Sequence, residues 1–128
     1  MNKSYSEMKK LSTYGDRLRY LHIGDNKVAS PRSMSHPFYK SSLWLNLRKE
    51  IIARDLASDL GVKGFFIPAH IIVHHINPLT LEDLEDFTDK CYNPDNLVCV
   101  SPQTHNLIHY RKEFNDPVER KPGDTKLW

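Results

Sequence analysis

The stretch LVCVSPQTHNLIHY, residues 97–110, decides how the rest of the chain is interpreted. Its first four residues are apolar, and two of them are β-branched, which is typical of a short strand. Ser101 is a good helix N-cap, and Pro102 occupies the first helical position, where its missing N–H costs nothing. A helix that starts there carries His105 and His109 on one face, one turn apart. The stretch therefore predicts a strand that leads directly into a helix with paired histidines.

A second pair of histidines lies at the end of the apolar run FFIPAHIIVHHI, residues 65–76. Phe, Ile and Val suit a half-buried strand, whereas Pro68 favours an edge position or a break inside it. In a regular strand His74 and His75 point to opposite faces, so they are unsuited to be equal ligands of one ion. A natural division gives one histidine to a metal and leaves the other free as a base. The helical pair by itself is weak evidence for a metal site.

The clearest helix is predicted for SSLWLNLRKEIIARDLA, residues 41–57. Ser41 or Ser42 is placed to cap it. Apolar side chains recur at helical spacing, so we expect one buried stripe of Leu43, Leu47 and Ile51, widened by Trp44 and Ile52.

The remaining elements are shorter. TLEDLEDFTD, residues 80–89, predicts an acidic helix or turn capped by Thr80, and residues 93–96, NPDN, predict a turn. Residues 1–22 show weak helical patterning with a break at Gly15. The order strand, loop, strand, helix indicates the α+β class.

The overall composition fits one globular domain in a reducing compartment. A chain of 128 residues buries a core without disulfides, and 39% apolar with 27% charged residues is ordinary for such a domain. Cys91 and Cys99 form no CxxC pair, so we expect free thiols that are buried or half-buried. The apolar runs are too short and too polar for a membrane span, and residues 1–10 lack the apolar core of a signal peptide. These features predict a cytoplasmic protein without membrane contact.

The charge is unevenly distributed along the chain. The first fifty residues carry ten Lys and Arg against four Asp and Glu, and the next fifty carry three against eight. A basic N-terminal third suits a phosphate backbone, although charge alone equally fits a solvated surface. The candidates for DNA-backbone contacts are Arg48, Lys49 and Arg54, followed by Lys40 and Arg111.

The segments VHHINPL and NPDNLVCVSPQTHNLIH together resemble the HNH endonucleases, which have the ββα-metal, or His-Me finger, fold. In that family pattern a metal-binding Asp or His precedes a general-base His, an Asn follows later, and a further metal ligand lies nine residues after the Asn. The matching positions are His74, His75, Asn96 and His105. His109 matches a second helical histidine of many members.

The likeness extends upstream, because FYKSSLWLNLRKEIIARD, residues 38–55, is similar to the segment before the motif in phage-type members. Residues 38–110 therefore resemble the small HNH proteins of phages and prophages. The expected domains are a basic extension over 1–37, a nuclease domain over 38–114 and a tail over 115–128. Many members also carry two CxxC pairs around a structural zinc; this chain has none, so packing must stabilise its core.

The resemblance implies a metal-dependent endonuclease that hydrolyses DNA phosphodiester bonds, by nicking or double-strand cleavage, with low sequence specificity. It makes His75 the general base, for which we expect a near-neutral pKa. Asn96 ties the loop that positions this base. One divalent ion (Mg²⁺, Mn²⁺, Ni²⁺ or Zn²⁺) is held by His74 and His105, with His109 as a third candidate.

The implied partners are double-stranded DNA and phage terminase or packaging proteins, with a monomer or homodimer in the cytoplasm of a bacterial or phage-infected cell. Two other hypotheses stay open: a non-catalytic DNA- or protein-binding module of a phage packaging assembly, and a structural zinc site closed by four histidines. A purely structural site has no use for an unliganded His75, and adjacent strand histidines make tetrahedral closure awkward.

Overall fold

The computed structural model describes residues 2–23 and 36–110, and these form an α+β fold with two antiparallel strands, in agreement with the predicted class. Arg111 and the predicted tail lie outside the described residues. The elements are α1 (Tyr5–Met8), α2 (Tyr14–Leu21), α3 (Ser42–Arg54), β1 (Ile72–His75), α4 (Leu81–Asp86), α5 (Asp89–Tyr92), β2 (Leu97–Val100) and α6 (Pro102–Tyr110), with short 3-10 turns at Pro37–Lys40, Asp59–Gly61 and Pro94–Asn96.

The strands pair in a register that runs from Ile72 opposite Val100 to His75 opposite Leu97. Only the last part of the predicted extended run over 65–76 is strand. Earlier in the run, His70 has a left-handed φ of 57°, which breaks the extended backbone. Because one residue separates β2 from α6, the two histidines of α6 return to the end of the sheet where His74 lies.

Helix α3 begins as predicted, since the Ser41 hydroxyl accepts a hydrogen bond from the Trp44 N–H at 3.2 Å. The predicted stripe is wrong at one position: Leu43 is 49% exposed, whereas Trp44, Leu47 and Ile51 are buried. The large indole of Trp44 occupies the centre of the buried face. Leu43, roughly 100° away around the helix, is therefore turned out to solvent.

The caps of α4 and α6 are also those expected from the sequence. Thr80 caps α4 in a reciprocal pair with Asp83. The Ser101 hydroxyl accepts from the Thr104 N–H at 3.1 Å at the start of α6. Helix α2 differs from the prediction, because it begins after Thr13 and continues through Gly15. None of the helices built from the described residues has the length and apolar character needed to cross a membrane.

The sheet separates two apolar clusters because β2 is buried on both faces. Leu97 and Cys99 join the first cluster with Trp44, Leu47 and Ile51 of α3. Val98 and Val100 join the second, with Met8, Leu18, Leu21 and Ile108. Met8, Leu18 and Leu21, which belong to the predicted basic extension, are thus part of the core. Both cysteines are free and buried, as expected.

Candidate metal centre

The structure brings three predicted metal ligands together, namely His74 at the end of β1 and His105 and His109 on α6. One ligand nitrogen from each lies within 4.8 Å of the other two. The His105 and His109 Nε2 atoms are 3.0 Å apart. The ring centroid of His74 lies 5.4 Å from that of His105 and 5.3 Å from that of His109. The i, i+4 spacing on α6 and the antiparallel pairing of β1 with β2 produce this convergence.

The protonation state of the cluster suits a divalent cation. Burial first, and then the positive charges of neighbouring histidines, lower the pKa of His74 well below its ordinary value. Burial, followed by the charge on His109, lowers the pKa of His105 to about 4, and burial lowers the pKa of His109. The three imidazoles are therefore neutral at physiological pH, which is the form that ligates metals.

The surroundings of the His74 ring indicate whether a metal ion fits between the three histidines. Its Nε2 is buried and has no hydrogen-bond partner within residues 2–23 and 36–110. An unpartnered buried polar atom costs ~1–3 kcal/mol, so such atoms usually mark a bound ligand or a functional group. Three imidazole nitrogens within 4.8 Å of one another are a donor set for zinc or a similar borderline ion. The residues present thus fit one divalent cation.

A buried hydrogen-bond network holds the start of α6. The carboxylate of Asp59 is fully buried. It accepts from the Ser101 N–H at 3.0 Å, from the Ser101 hydroxyl at 2.7 Å and from the Thr104 hydroxyl at 2.7 Å. Because the Thr104 hydroxyl donates to Asp59, it accepts from the Tyr14 hydroxyl, 2.7 Å away. The Ser101 carbonyl in turn accepts from the His105 N–H at 2.9 Å. Asp59 is missing from the predicted site because no local pattern marks it.

His75 lies on the opposite face of β1 from the cluster, as the strand alternation predicts. Its ring stacks on Trp44 with centroids 5.2 Å apart and meets the edge of Tyr39. Its Nε2 lies 3.0 Å from the Cys91 carbonyl oxygen. A carbonyl only accepts, so this nitrogen carries the proton and Nδ1 holds the lone pair.

The predicted near-neutral pKa of His75 is wrong. Burial lowers it to about 4, and the hydrogen bond to Cys91 offsets only part of that effect. The aromatic walls provided by Trp44 and Tyr39 are the physical cause, since they replace the water that would solvate an imidazolium.

Asn96 ties the loop after β1 to the segment before β2. It is fully buried. Its Oδ1 accepts from the Asn77 N–H at 2.7 Å and from the Asn77 Nδ2 at 2.8 Å, and its Nδ2 donates to the Lys90 carbonyl at 2.8 Å. Lys90 immediately precedes Cys91, whose carbonyl holds His75. Asn96 therefore fixes the peptide segment whose Cys91 carbonyl is hydrogen-bonded to His75. Asn77 has no counterpart in the predicted site, although it lies within the HHINP segment.

Arg54 contributes to the fold rather than facing solvent. Its guanidinium donates to both carboxylate oxygens of Asp55, to the Pro94 carbonyl at 2.9 Å and to the Leu97 carbonyl at 2.6 Å. It also lies 3.5 Å from the ring centroid of Tyr5. Every guanidinium nitrogen is thus engaged inside the protein, which argues against the predicted phosphate contact.

The other predicted DNA contacts occupy different environments. Lys40, at the end of the 3-10 turn before α3, and Lys49, on α3, are exposed. Arg48 is half-buried and donates from Nη2 to the Ile71 carbonyl at 2.6 Å. Arg111 lies beyond the described residues. Among the four candidates that the structure describes, Lys40 and Lys49 are therefore the exposed side chains.

Comparisons of this chain with protein-family models, with curated proteins and with solved structures found no match. The geometry of the three histidines and of their supports is thus the basis on which a function is proposed.

Proposed function

We propose that this chain is a metal-dependent endonuclease of the HNH, ββα-metal type that hydrolyses DNA phosphodiester bonds. The observation that carries the proposal is the convergence of His74, His105 and His109, with the His74 Nε2 buried and unpartnered. Two antiparallel strands followed at once by the ligand-bearing helix support it, because the HNH resemblance implies that order of elements.

His74, His105 and His109 would hold one divalent ion through neutral imidazole nitrogens. Such ligands favour zinc, nickel or manganese, whereas magnesium would rely on additional oxygen ligands. When bound, the ion supplies Lewis-acid polarisation of the phosphoryl oxygen and stabilises the leaving oxygen. Three protein ligands are the number found in catalytic rather than closed structural sites.

His75 would accept the proton of the attacking water. It is unprotonated at neutral pH, as a base must be, and its hydrogen bond to Cys91 leaves Nδ1 as the accepting atom. Burial makes it a weak base in the free protein. The negative charge of a bound phosphodiester would stabilise the imidazolium and raise the pKa towards the working pH.

Asn96 would act as a positioning residue rather than a reacting one. It anchors Lys90, and through that peptide segment the Cys91 carbonyl that orients the His75 ring. Lys40 and Lys49 would contact the DNA backbone without reading sequence, so low sequence specificity is expected. One active site per chain makes nicking the minimal activity.

Plasmid nicking tests the proposal. The purified chain is incubated with supercoiled DNA and Mg²⁺, Mn²⁺, Ni²⁺ or Zn²⁺, beside His75→Ala, His105→Ala and a control, His70→Asn. His70 is exposed and lies outside the centre, and asparagine tolerates its left-handed φ. We expect metal-dependent nicking by the wild type and the control. Both other variants should be inactive, with metal binding retained in His75→Ala.

A metal-stabilised module without catalysis is the second candidate, because His75 is turned away from the cluster and packs against Trp44. Under that reading the metal raises the thermal stability of the wild type but not of His105→Ala, and no DNA is cut. Absence of nicking with every metal on supercoiled, linear and single-stranded DNA would favour this candidate.

A further inference from the structure

Two aromatic side chains lie next to each other on the surface at the end of α4 and on α5, and we call them the Phe87–Tyr92 face. The two ring centroids are 6.0 Å apart, and the residues are 43% and 39% exposed. The Phe87 ring also makes an edge contact with Phe38, with centroids 5.3 Å apart. Phe38 is buried in the apolar cluster that contains Trp44. Single exposed apolar residues are common, whereas this pair continues from the core and offers one joined apolar surface.

The backbone at Phe87 does not favour a large side chain. The residue ends α4 in the left-handed region, with φ of 56° and ψ of 47°. Glycine or asparagine is usual at such a helix end, because a Cβ atom is unfavourable in this conformation. The contact with Phe38 offsets part of the cost, yet much of the ring-bearing residue remains exposed. Local features that oppose folding are concentrated at functional surfaces, so the exposed ring calls for a ligand.

Carboxylates flank the two rings along the chain. Residues 81–92 contain five Asp and Glu residues and one Lys, which gives a formal charge of −4. Asp86 directly precedes Phe87, and Asp89 lies one turn before Tyr92 on the same side of α5. Asp86 is exposed in the last turn of α4, where the helix dipole opposes a negative charge. It forms no ion pair with the part of the chain that the structure describes, so its charge is available to a partner.

An arginine side chain matches both the rings and the carboxylates. The protein already contains this combination, because the Arg54 guanidinium lies 3.5 Å from the ring centroid of Tyr5 and donates to both carboxylate oxygens of Asp55. The planar guanidinium stacks on an aromatic ring and pairs with a carboxylate at the same time. A nucleic acid is disfavoured, since its phosphates would approach a segment with a charge of −4. The charge therefore favours a basic polypeptide over DNA.

We propose that the Phe87–Tyr92 face binds an arginine-rich segment of a partner protein. A guanidinium lies over the two rings, and Asp86 and Asp89 form ion pairs with it and with its neighbours. The face is distinct from the three-histidine centre, because Phe38 joins it to Trp44 and His75 on the opposite side of β1. The inference goes beyond the proposed nuclease activity and requires no metal ion.

Fluorescence anisotropy with a labelled peptide of alternating arginine and glycine residues tests the inference on the full chain. Two matched peptides carry lysine or glutamine in place of every arginine. We expect the arginine peptide to bind more tightly than the lysine peptide, because an ammonium stacks less well on the rings. The glutamine peptide should not bind. Added salt should weaken binding of the arginine peptide, since exposed charges contribute to it.

Two variants locate the peptide on the protein, each with a matched control. Phe87→Gly removes the ring and should weaken binding about two- to fivefold, through loss of the cation–π contact. Its control is Phe66→Ala, which removes a 57% exposed ring outside residues 81–92. Asp86→Asn should weaken binding about twofold, as expected for an exposed ion pair. Its control is Glu50→Gln, an exposed position on α3. Both controls should bind the peptide as the wild type does.

Thermal melting of the same samples checks the fold. Phe87→Gly loses the contact with Phe38, but glycine accepts the left-handed backbone without cost. If this variant does not fold, Tyr92→Ala takes its place. The inference would be overturned by a wild type that does not bind the arginine peptide, or that binds the glutamine peptide equally well. Equal affinity of the wild type and the folded ring variant would also overturn it.

A short DNA duplex is the second probe and tests the other class of macromolecule at the same salt concentration. We expect the wild type and Phe87→Gly to bind the duplex equally, because the acidic segment does not face DNA. Weaker duplex binding by Phe87→Gly, with Phe66→Ala unchanged, would assign the two rings to nucleic acid and refute the arginine-rich partner.

Discussion

Replacement of Asp59 should be among the most destabilising single changes in this protein. Its carboxylate is fully buried and accepts hydrogen bonds from the Ser101 N–H, the Ser101 hydroxyl and the Thr104 hydroxyl. In Asp59→Ala all three donors lose their acceptor at the first turn of α6. In Asp59→Asn one oxygen remains for the Ser101 N–H, and the two hydroxyls are free to rotate and accept from the new amide.

The magnitude follows from these contacts. Hydrogen bonds to a charged group contribute ~1.5–3 kcal/mol each but are not additive within one network. Asp59→Ala leaves three buried neutral donors without an acceptor at about 1–3 kcal/mol each, and these losses overlap within one network, so we expect about 3–5 kcal/mol in total. Asp59→Asn should lose about 1–2 kcal/mol, because most of its bonds are re-formed without charge. A domain of this kind has a total stability of roughly 5–15 kcal/mol, so the alanine variant approaches the limit of folding.

Urea unfolding of the metal-free protein measures the free energy of unfolding of both variants, with tryptophan fluorescence and circular dichroism as probes. Tyr14→Phe serves as the mild member of the series, since it removes one hydroxyl from the outer end of the network. The expected order of stability loss is alanine, then asparagine, then Tyr14→Phe. A loss below about 1 kcal/mol for Asp59→Ala, or equal losses for alanine and asparagine, would refute the network as described.

The burial of Leu47, the protonation of His75 and the hydrogen bonds of Asn96 each lead to a further prediction. Leu47→Ala should lower the free energy of unfolding by about 2–4 kcal/mol, because this side chain is only 8% exposed. Leu43→Ala should lower it by about 0.5 kcal/mol, because Leu43 is 49% exposed. Equal losses in chemical denaturation would contradict the orientation of α3. His75 has a folded-state pKa of about 4, below its unfolded value of 6.5, so the unfolded chain binds more protons between these limits and stability falls as the pH drops through them. Metal-free wild type should therefore lose about 3 kcal/mol more than His75→Phe between pH 7 and pH 4, and parallel curves would refute this. Asn96→Ala should lower the free energy of unfolding by about 2–4 kcal/mol, because buried hydrogen bonds are lost. It should also speed hydrogen exchange at the Asn77 backbone amide, which loses its acceptor at 2.7 Å. Unchanged exchange would show that another group holds the loop.

The parts of the fold that the sequence predicts well are those governed by neighbouring residues. The strand before Ser101, the cap of α6 and the one-turn spacing of His105 and His109 all depend on contacts within a few positions. The opposite orientations of His74 and His75 follow from strand geometry in the same way. Local rules therefore place the candidate ligands on their elements and faces.

The parts that the sequence does not predict depend on distant residues. Asp59 reaches Ser101 across 42 positions, and Asn77 reaches Lys3 across 74. No periodicity or cap marks either side chain. The pKa of His75 is not predicted for a similar reason, because it depends on the rings of Tyr39, in the 3-10 turn before α3, and of Trp44, in α3. Leu43 shows the limit of helical periodicity, which gives the width of a stripe but not which edge faces the core.

Two hydrogen bonds join Asn77 to the backbone of Lys3, one from the Lys3 N–H to the Asn77 Oδ1 and one from the Asn77 Nδ2 to the Lys3 carbonyl, and they affect how the protein folds. These bonds close a loop of 74 residues, and such long-range closures are entropically costly and slow folding. During synthesis Lys3 emerges early but has no docking place until Asn77 and its partner Asn96 have left the ribosome. Helices α1 to α5 can form before that event, whereas the strand pair needs β2, which follows Asn96 in the chain. Docking of the N-terminal segment is therefore expected to be a late step that follows collapse of the two apolar clusters.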